Sequence, residues 1–112
     1  MLIEGKPIIG ICHGAFLLTN IFGGEVLPAD GHMDSEHEVL VGKEVRTVNS
    51  FHSLQISKAP SNATVLATDT NGICEAWMYK NIGAVVWHPE RMDKPYWPKQ
   101  IGDLLWVKSL MI

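Results

Sequence analysis

Two short stretches of the sequence carry side chains able to do covalent chemistry. In Gly10-Ile11-Cys12-His13-Gly14 a thiol sits between two glycines, directly after the apolar run Pro7-Ile8-Ile9. In Trp87-His88-Pro89-Glu90 an imidazole has a carboxylate two residues further on, at the end of a second apolar run, Gly83 to Trp87. A thiol becomes a strong nucleophile when a base takes its proton, and an imidazole becomes an oriented base when a carboxylate holds one of its nitrogens. Residues i and i+2 of an extended segment share a face, so Glu90 can reach one ring nitrogen of His88, with Pro89 stiffening the link. Cys12, His88 and Glu90 thus read as a Cys–His–Glu triad for acyl transfer. In it His88 takes the thiol proton and later returns it to a leaving amine.

The glycines say which element presents the thiol. Gly-x-Cys-x-Gly after a β-branched run has the form of a tight strand-to-helix turn whose apex residue is backbone-strained and whose flanking positions must lack side chains. A thiol there stands at a helix amino terminus, where unpaired N–H groups favour the thiolate. The backbone N–H of His13 would face the oxyanion of a tetrahedral intermediate. The plainer alternatives are a buried structural cysteine and a surface histidine following a strand.

These residues need elements to bring them together. Residues 7 to 11 read as a buried strand of a parallel sheet. Leu2 to Gly5 resemble the last turn of a preceding helix, and Ala15 to Phe22 a short amphipathic helix ended by Gly23-Gly24. From Glu25 to about Arg46, alternating segments broken by Pro28, Asp30-Gly31 and Gly42 suggest an antiparallel excursion. Strands are expected at Thr64 to Thr68 and Ile73 to Tyr79 around the turn 69–72, and at Gly83 to Trp87. A loop from Met92 to Pro98 then leads to a closing helix, Ile101 to Leu110. In a doubly wound sheet the carboxyl ends of parallel strands meet along one edge, so Cys12 and His88 are expected side by side.

The whole chain sets outer limits. Its 112 residues, 46% hydrophobic and 19% charged, fit one domain. A net charge of −3 with scattered Lys and Arg gives no surface for nucleic acid or an anionic membrane. No apolar run is long enough to span a bilayer and no secretory signal is visible, so a cytoplasmic location is expected. Cys74 lies in an alternating strand and reads as packing, as do the four tryptophans around the final loop and helix. His32-Met33-Asp34-Ser35-Glu36-His37 gathers potential metal ligands, but its spacing matches no zinc signature and a solvated loop is the simpler reading. No phosphate-binding loop is present, and no metal or organic cofactor is called for.

"KPIIGICHG" followed by "VVWHPE" resembles the class I glutamine amidotransferase-like family, whose members cleave γ-glutamyl amides with a Cys–His–Glu triad. "VNSFHSLQI", residues 48–56, is similar to a segment of the γ-glutamyl hydrolase (peptidase C26) branch, which includes γ-glutamyl-CDP-amidate and γ-glutamyl-γ-aminobutyrate hydrolases. The resemblance implies a flavodoxin-like three-layer α/β/α fold with a mostly parallel sheet and an antiparallel excursion. It also implies that Ser50, Phe51 and His52 help hold the glutamyl group, and it sets Phe16 at a substrate-contacting position where many relatives carry glutamine. Relatives have strands and a glycine-rich loop upstream of the nucleophile, so residues 1–112 read as the carboxyl-terminal part of that domain. The missing half would then come from a partner chain or from self-association. Three functions remain: a hydrolase of small γ-glutamyl amides through a glutamyl thioester, a glutaminase subunit passing ammonia to a synthase, and a non-catalytic remnant or interaction module.

Overall fold

The computed structural model describes residues 6–28, 35–50, 54–105 and 110–112. The elements in chain order are β1 (Ile8–Ile11), α1 (His13–Ile21), β2 (Glu25–Pro28), β3 (Ser35–Val41), β4 (Glu44–Ser50) and β5 (Leu54–Lys58). There follow β6 (Thr64–Asp69), β7 (Cys74–Tyr79), β8 (Ile82–Val85), a 3-10 turn at Pro89–Arg91, α2 (Lys99–Leu104) and β9 (Leu110–Met111). All strands belong to one curled sheet of order β4-β3-β6-β7-β8-β1-β9, with β5 paired to β7 and β2 to β5.

The fold is α/β and flavodoxin-like, with helices on both faces. On one face Ala15, Phe16 and Leu18 of α1 pack against Ile56, Trp77 and Val86. On the other, Ile101 of α2 joins Ile9, Val85 and Trp87. A Cβ at Gly83 would come within 2.9 Å of the Ile101 side chain, so the glycine lets α2 seat directly on the sheet. Buried tryptophans close each layer. Trp77 donates to Thr19 Oγ1 at 2.9 Å, and Trp87 stacks on Tyr96 while donating to its carbonyl at 3.0 Å. The tryptophans therefore do not all serve the final loop and helix, because Trp77 lies under α1.

The sheet is mixed. Parallel pairing joins β1 to β8, from Ile8↔Ile82 to Ile11↔Val85, and β1 to β9. The other pairings among the described residues are antiparallel, so the excursion is larger than the alternating stretch alone predicted. Short connections enforce this, since a parallel return needs a long crossover. Gly42 (φ 62°) closes β3–β4, and Lys80 (φ 53°) turns β7 into β8. At the expected turn after β6, Asp69 Oδ1 accepts the N–H groups of Asn71 and Ile73 at 2.8 and 2.9 Å.

Two expectations change, and one feature is new. The closing helix ends at Leu104, and Leu110 instead begins β9, because the tail bonds to the edge of β1: Ile11 N–H donates to Ile112 O and Ile112 N–H to Ile9 O, both at 2.9 Å. The segment read only for binding continues into a strand, β5. Glu75 sits at a β-bulge, where Ala67 pairs with Ala76 and Thr68 with Cys74, leaving Glu75 without a partner in register. Leu2 to Gly5 lie outside the described residues.

Candidate active site

Cys12 occupies the apex of the turn between β1 and α1. Its φ of 52° and ψ of −101° fall outside the regions open to side-chain-bearing residues, a conformation that costs about 1–3 kcal/mol and must be held by its surroundings. Those surroundings are close. A Cβ on Gly10 would lie 2.7 Å from the backbone of Gly14, and one on Gly14 would collide with the Ile112 backbone. β1 and α1 can meet at this angle only because position 10 is glycine, and the Ile112 backbone can lie against the helix only because position 14 is. Cys12 N–H donates to Val85 O at 2.8 Å, tying the turn to the tip of β8.

His88 follows that tip by three residues. Its Nδ1 is 2.7 Å from Glu90 Oε2; a carboxylate only accepts, so the proton belongs on Nδ1 and Nε2 is the basic nitrogen. The two expected strand ends are thus neighbours in a parallel pair, and the i, i+2 contact between His88 and Glu90 forms. Its cause is local. Pro89 opens a 3-10 turn that swings Glu90 back toward the ring, and Arg91 N–H donates to His88 O at 3.1 Å.

The thiol itself is pushed up, against the expectation of a standing thiolate. Burial, with Cys12 8% exposed, outweighs the backbone hydrogen bond from His13 and the positive charge of Arg91, which both act downward. The negative charges of Glu90 and Glu75 add to the rise. The His13 amide nevertheless faces the sulfur, as the turn requires. Cys74, as little exposed as Cys12, is pushed up to about 12, chiefly by burial, and sits in the core, in keeping with a packing role.

Three residues that the sequence did not single out shape this edge. Asn49, at the end of β4, accepts the His88 N–H through Oδ1 at 2.7 Å and donates to the His88 carbonyl through Nδ2 at 2.8 Å. Glu75, 1% exposed at its bulge, is 2.9 Å from His37 Nε2 on β3. Its hydrogen bond raises the pKa of the His37 ring, more than burial lowers it. Arg91 lines a cavity of about 500 Å³ beside the 3-10 turn, together with Glu36, Asn49, Met92, Asp93 and Lys94. Only Asn49 had a sequence signal, as part of the "VNSFH" segment. A second cavity, of about 310 Å³ around Phe22, Tyr79 and Asn81, opens at the opposite end of the strands and is remote from Cys12.

The remaining expected residues fare unevenly. Phe16 is 5% exposed among core residues, so its ring serves packing beneath the turn and offers little surface to a substrate. Ser50 ends β4. Phe51 and His52 lie outside the described residues, as do His32, Asp34 and Trp106. His37 belongs to β3 and pairs with Glu75, so it is not part of a solvated loop; among the described residues no three His, Cys, Asp or Glu side chains gather as metal ligands.

Fold and turn together define an α/β protein built to present a thiol at a strand–helix junction. The family model for glutamine amidotransferase class-I matches residues 1–106, and the chain belongs to that family. It is 35% identical over 90 residues to a gamma-glutamyl-CDP-amidate hydrolase of Campylobacter jejuni, covering 79% of this chain and 44% of the relative. It is 34% identical to the glutamine-hydrolyzing GMP synthase of Trichormus variabilis, covering 96% of this chain and 21% of that one. Among solved structures, a putative GMP synthase component from Thermoplasma acidophilum superposes with a TM-score of 0.72 at 26% identity, over 88% of this chain and 54% of that one. The chain spans less than half the length of these curated relatives.

Proposed function

We propose that this chain carries the cysteine-dependent chemistry of a γ-glutamyl amide hydrolase, with Cys12 as nucleophile, His88 as base and Glu90 orienting it. The observation that carries the reading is the parallel β1–β8 pair. Its Cys12–Val85 hydrogen bond sets the thiol turn beside the segment in which His88 Nδ1 meets Glu90 Oε2 at 2.7 Å. Because burial disfavours a resting thiolate, the proton moves when substrate arrives. His88 Nε2 takes it from the thiol, the sulfur bonds to the γ-carbonyl carbon, and the oxyanion is met by the His13 amide. The C–N bond then breaks as His88 returns the proton to the departing amine. Water, deprotonated by the same imidazole, cleaves the glutamyl thioester to glutamate and free thiol.

Residues 1–112 form on this reading part of one domain working in the cytoplasm on a small γ-glutamyl substrate. Ser50, Phe51 and His52 would hold the glutamyl group. The expected result is release of p-nitroaniline from γ-glutamyl-p-nitroanilide, lost by on the order of 10⁴-fold or more in Cys12→Ser and His88→Ala. Turnover that survives both substitutions removes the mechanism. Likeness to glutamine-hydrolyzing GMP synthases favours a second reading, a glutaminase that passes ammonia onward. Selectivity separates the two: a glutaminase prefers free glutamine, whereas the hydrolase accepts γ-glutamyl groups on larger amines. No turnover of either, with Cys12 alkylated as slowly as Cys74, would leave the interaction module.

A further inference from the structure

Past Val85 the chain leaves the β8 ladder, and each backbone group needs a new partner. Val86 N–H still donates to Glu75 O at 2.9 Å, and Trp87 anchors through its buried indole. His88 comes next, away from any strand, and one side chain satisfies both its N–H and its carbonyl. The Asn49 amide offers an acceptor and a donor in a single plane, at 2.7 and 2.8 Å, so it pairs with His88 as an antiparallel strand residue would. Asn49 is only 9% exposed and belongs to the edge strand β4, separated from β8 in the sheet by β3, β6 and β7. The curl of the sheet brings it across. Because Arg91 N–H shares the His88 carbonyl, the same clamp steadies the turn that carries Glu90.

We propose that Asn49 is the positioning residue of the base: its side-chain amide fixes the His88 backbone so that the imidazole is held toward Cys12. The inference rests on His88 being the base of the proposed reaction. A base displaced by about 1 Å loses on the order of 10²-fold in rate, so a two-point anchor on its own backbone is a direct means of keeping it in place. Asparagine suits the task better than serine or aspartate, which lack either the paired geometry or the donor.

The test is the pH dependence of Cys12 alkylation by iodoacetamide in the full chain, read alongside thermal melting. In Asn49→Leu, which removes both hydrogen bonds, alkylation at pH 7 falls about tenfold and its pH midpoint moves up toward that of His88→Ala, a fraction of what general-base catalysis contributes. Asn49→Asp keeps the acceptor for the His88 N–H and falls between wild type and the leucine variant; it carries the same comparison if the leucine variant does not fold. The double variant Asn49→Leu/His88→Ala reacts no more slowly than His88→Ala alone, as required of a residue acting through the base. A wild-type alkylation profile in an Asn49 variant that merely melts lower overturns the inference, as does a double variant showing the product of both single effects. A profile unmoved by His88→Ala fells the base assignment beneath it, a result distinct from either.

Discussion

The two partners in the proposed proton transfer are held by different parts of the sheet. Cys12 is fixed by the parallel β8–β1–β9 region through close contacts of short range: Gly10 against Gly14, the Ile112 backbone against Gly14, and the Cys12 N–H on Val85. His88 is fixed from the antiparallel curl, by an asparagine on the far edge strand 39 residues away in sequence. The curl also holds the Glu75–His37 pair beneath the same edge. Close backbone packing, locked by one backbone hydrogen bond, thus governs the nucleophile, and a side-chain amide from a distant strand governs the base. The first tolerates almost no change of residue. The second is adjustable, and that difference can be measured.

The sharpest contrast is in the glycines. Gly10→Ala should cost about 3 kcal/mol or prevent folding, because its Cβ meets backbone that cannot move aside, and urea unfolding will read the loss. Gly42→Ala in the β3–β4 turn meets nothing within 4 Å and pays only for its φ of 62°, about 1 kcal/mol. Equal losses at the two sites would erase the distinction. Next in size, Cys12→Gly should be about 1 kcal/mol more stable than Cys12→Ala while both abolish turnover, since only glycine accepts the strained angles without cost; an alanine variant at least as stable as the glycine one would mean that the turn is not strained.

Smaller effects come from the curl. The His37 ring has a raised pKa in the folded chain, through its hydrogen bond to Glu75, so folding favours the protonated ring. That stabilisation is complete below the unfolded histidine value of about 6.5 and fades as pH climbs through the higher folded value. Melting temperature should therefore decline from pH 6 to 8.5 in wild type, and the slope should flatten in Glu75→Gln. An unchanged slope would detach the pair from stability. The smallest expected difference lies between the thiols. Cys74, pushed up to about 12, should stay unalkylated at pH 8 while Cys12 reacts; mass spectrometry of the modified peptides decides it.

What the sequence determined is whatever depends on neighbours along the chain. Gly10 revealed the turn because the clash that it avoids, with the Gly14 backbone, spans four residues, whereas the room that Gly14 leaves for the Ile112 backbone was not legible. The His88–Glu90 contact was legible because a two-residue spacing fixes which side chains share a face. Turns at Gly42 and Asp69 likewise announced their hairpins. Tertiary structure decided the rest. Phe16 entered the core because α1 lies flat on Trp77 and Ile56; the helical pattern announced an apolar face, but not that this packing would leave the ring little surface for a substrate. The thiol rose instead of falling because desolvation sums over every atom packed around it, while the helix terminus contributes only through its first amides. Glu75 became a buried partner of His37 through a bulge whose register depends on another strand. Asn49 met His88 only because the sheet curls, and a chain read one residue after another carries no measure of curvature.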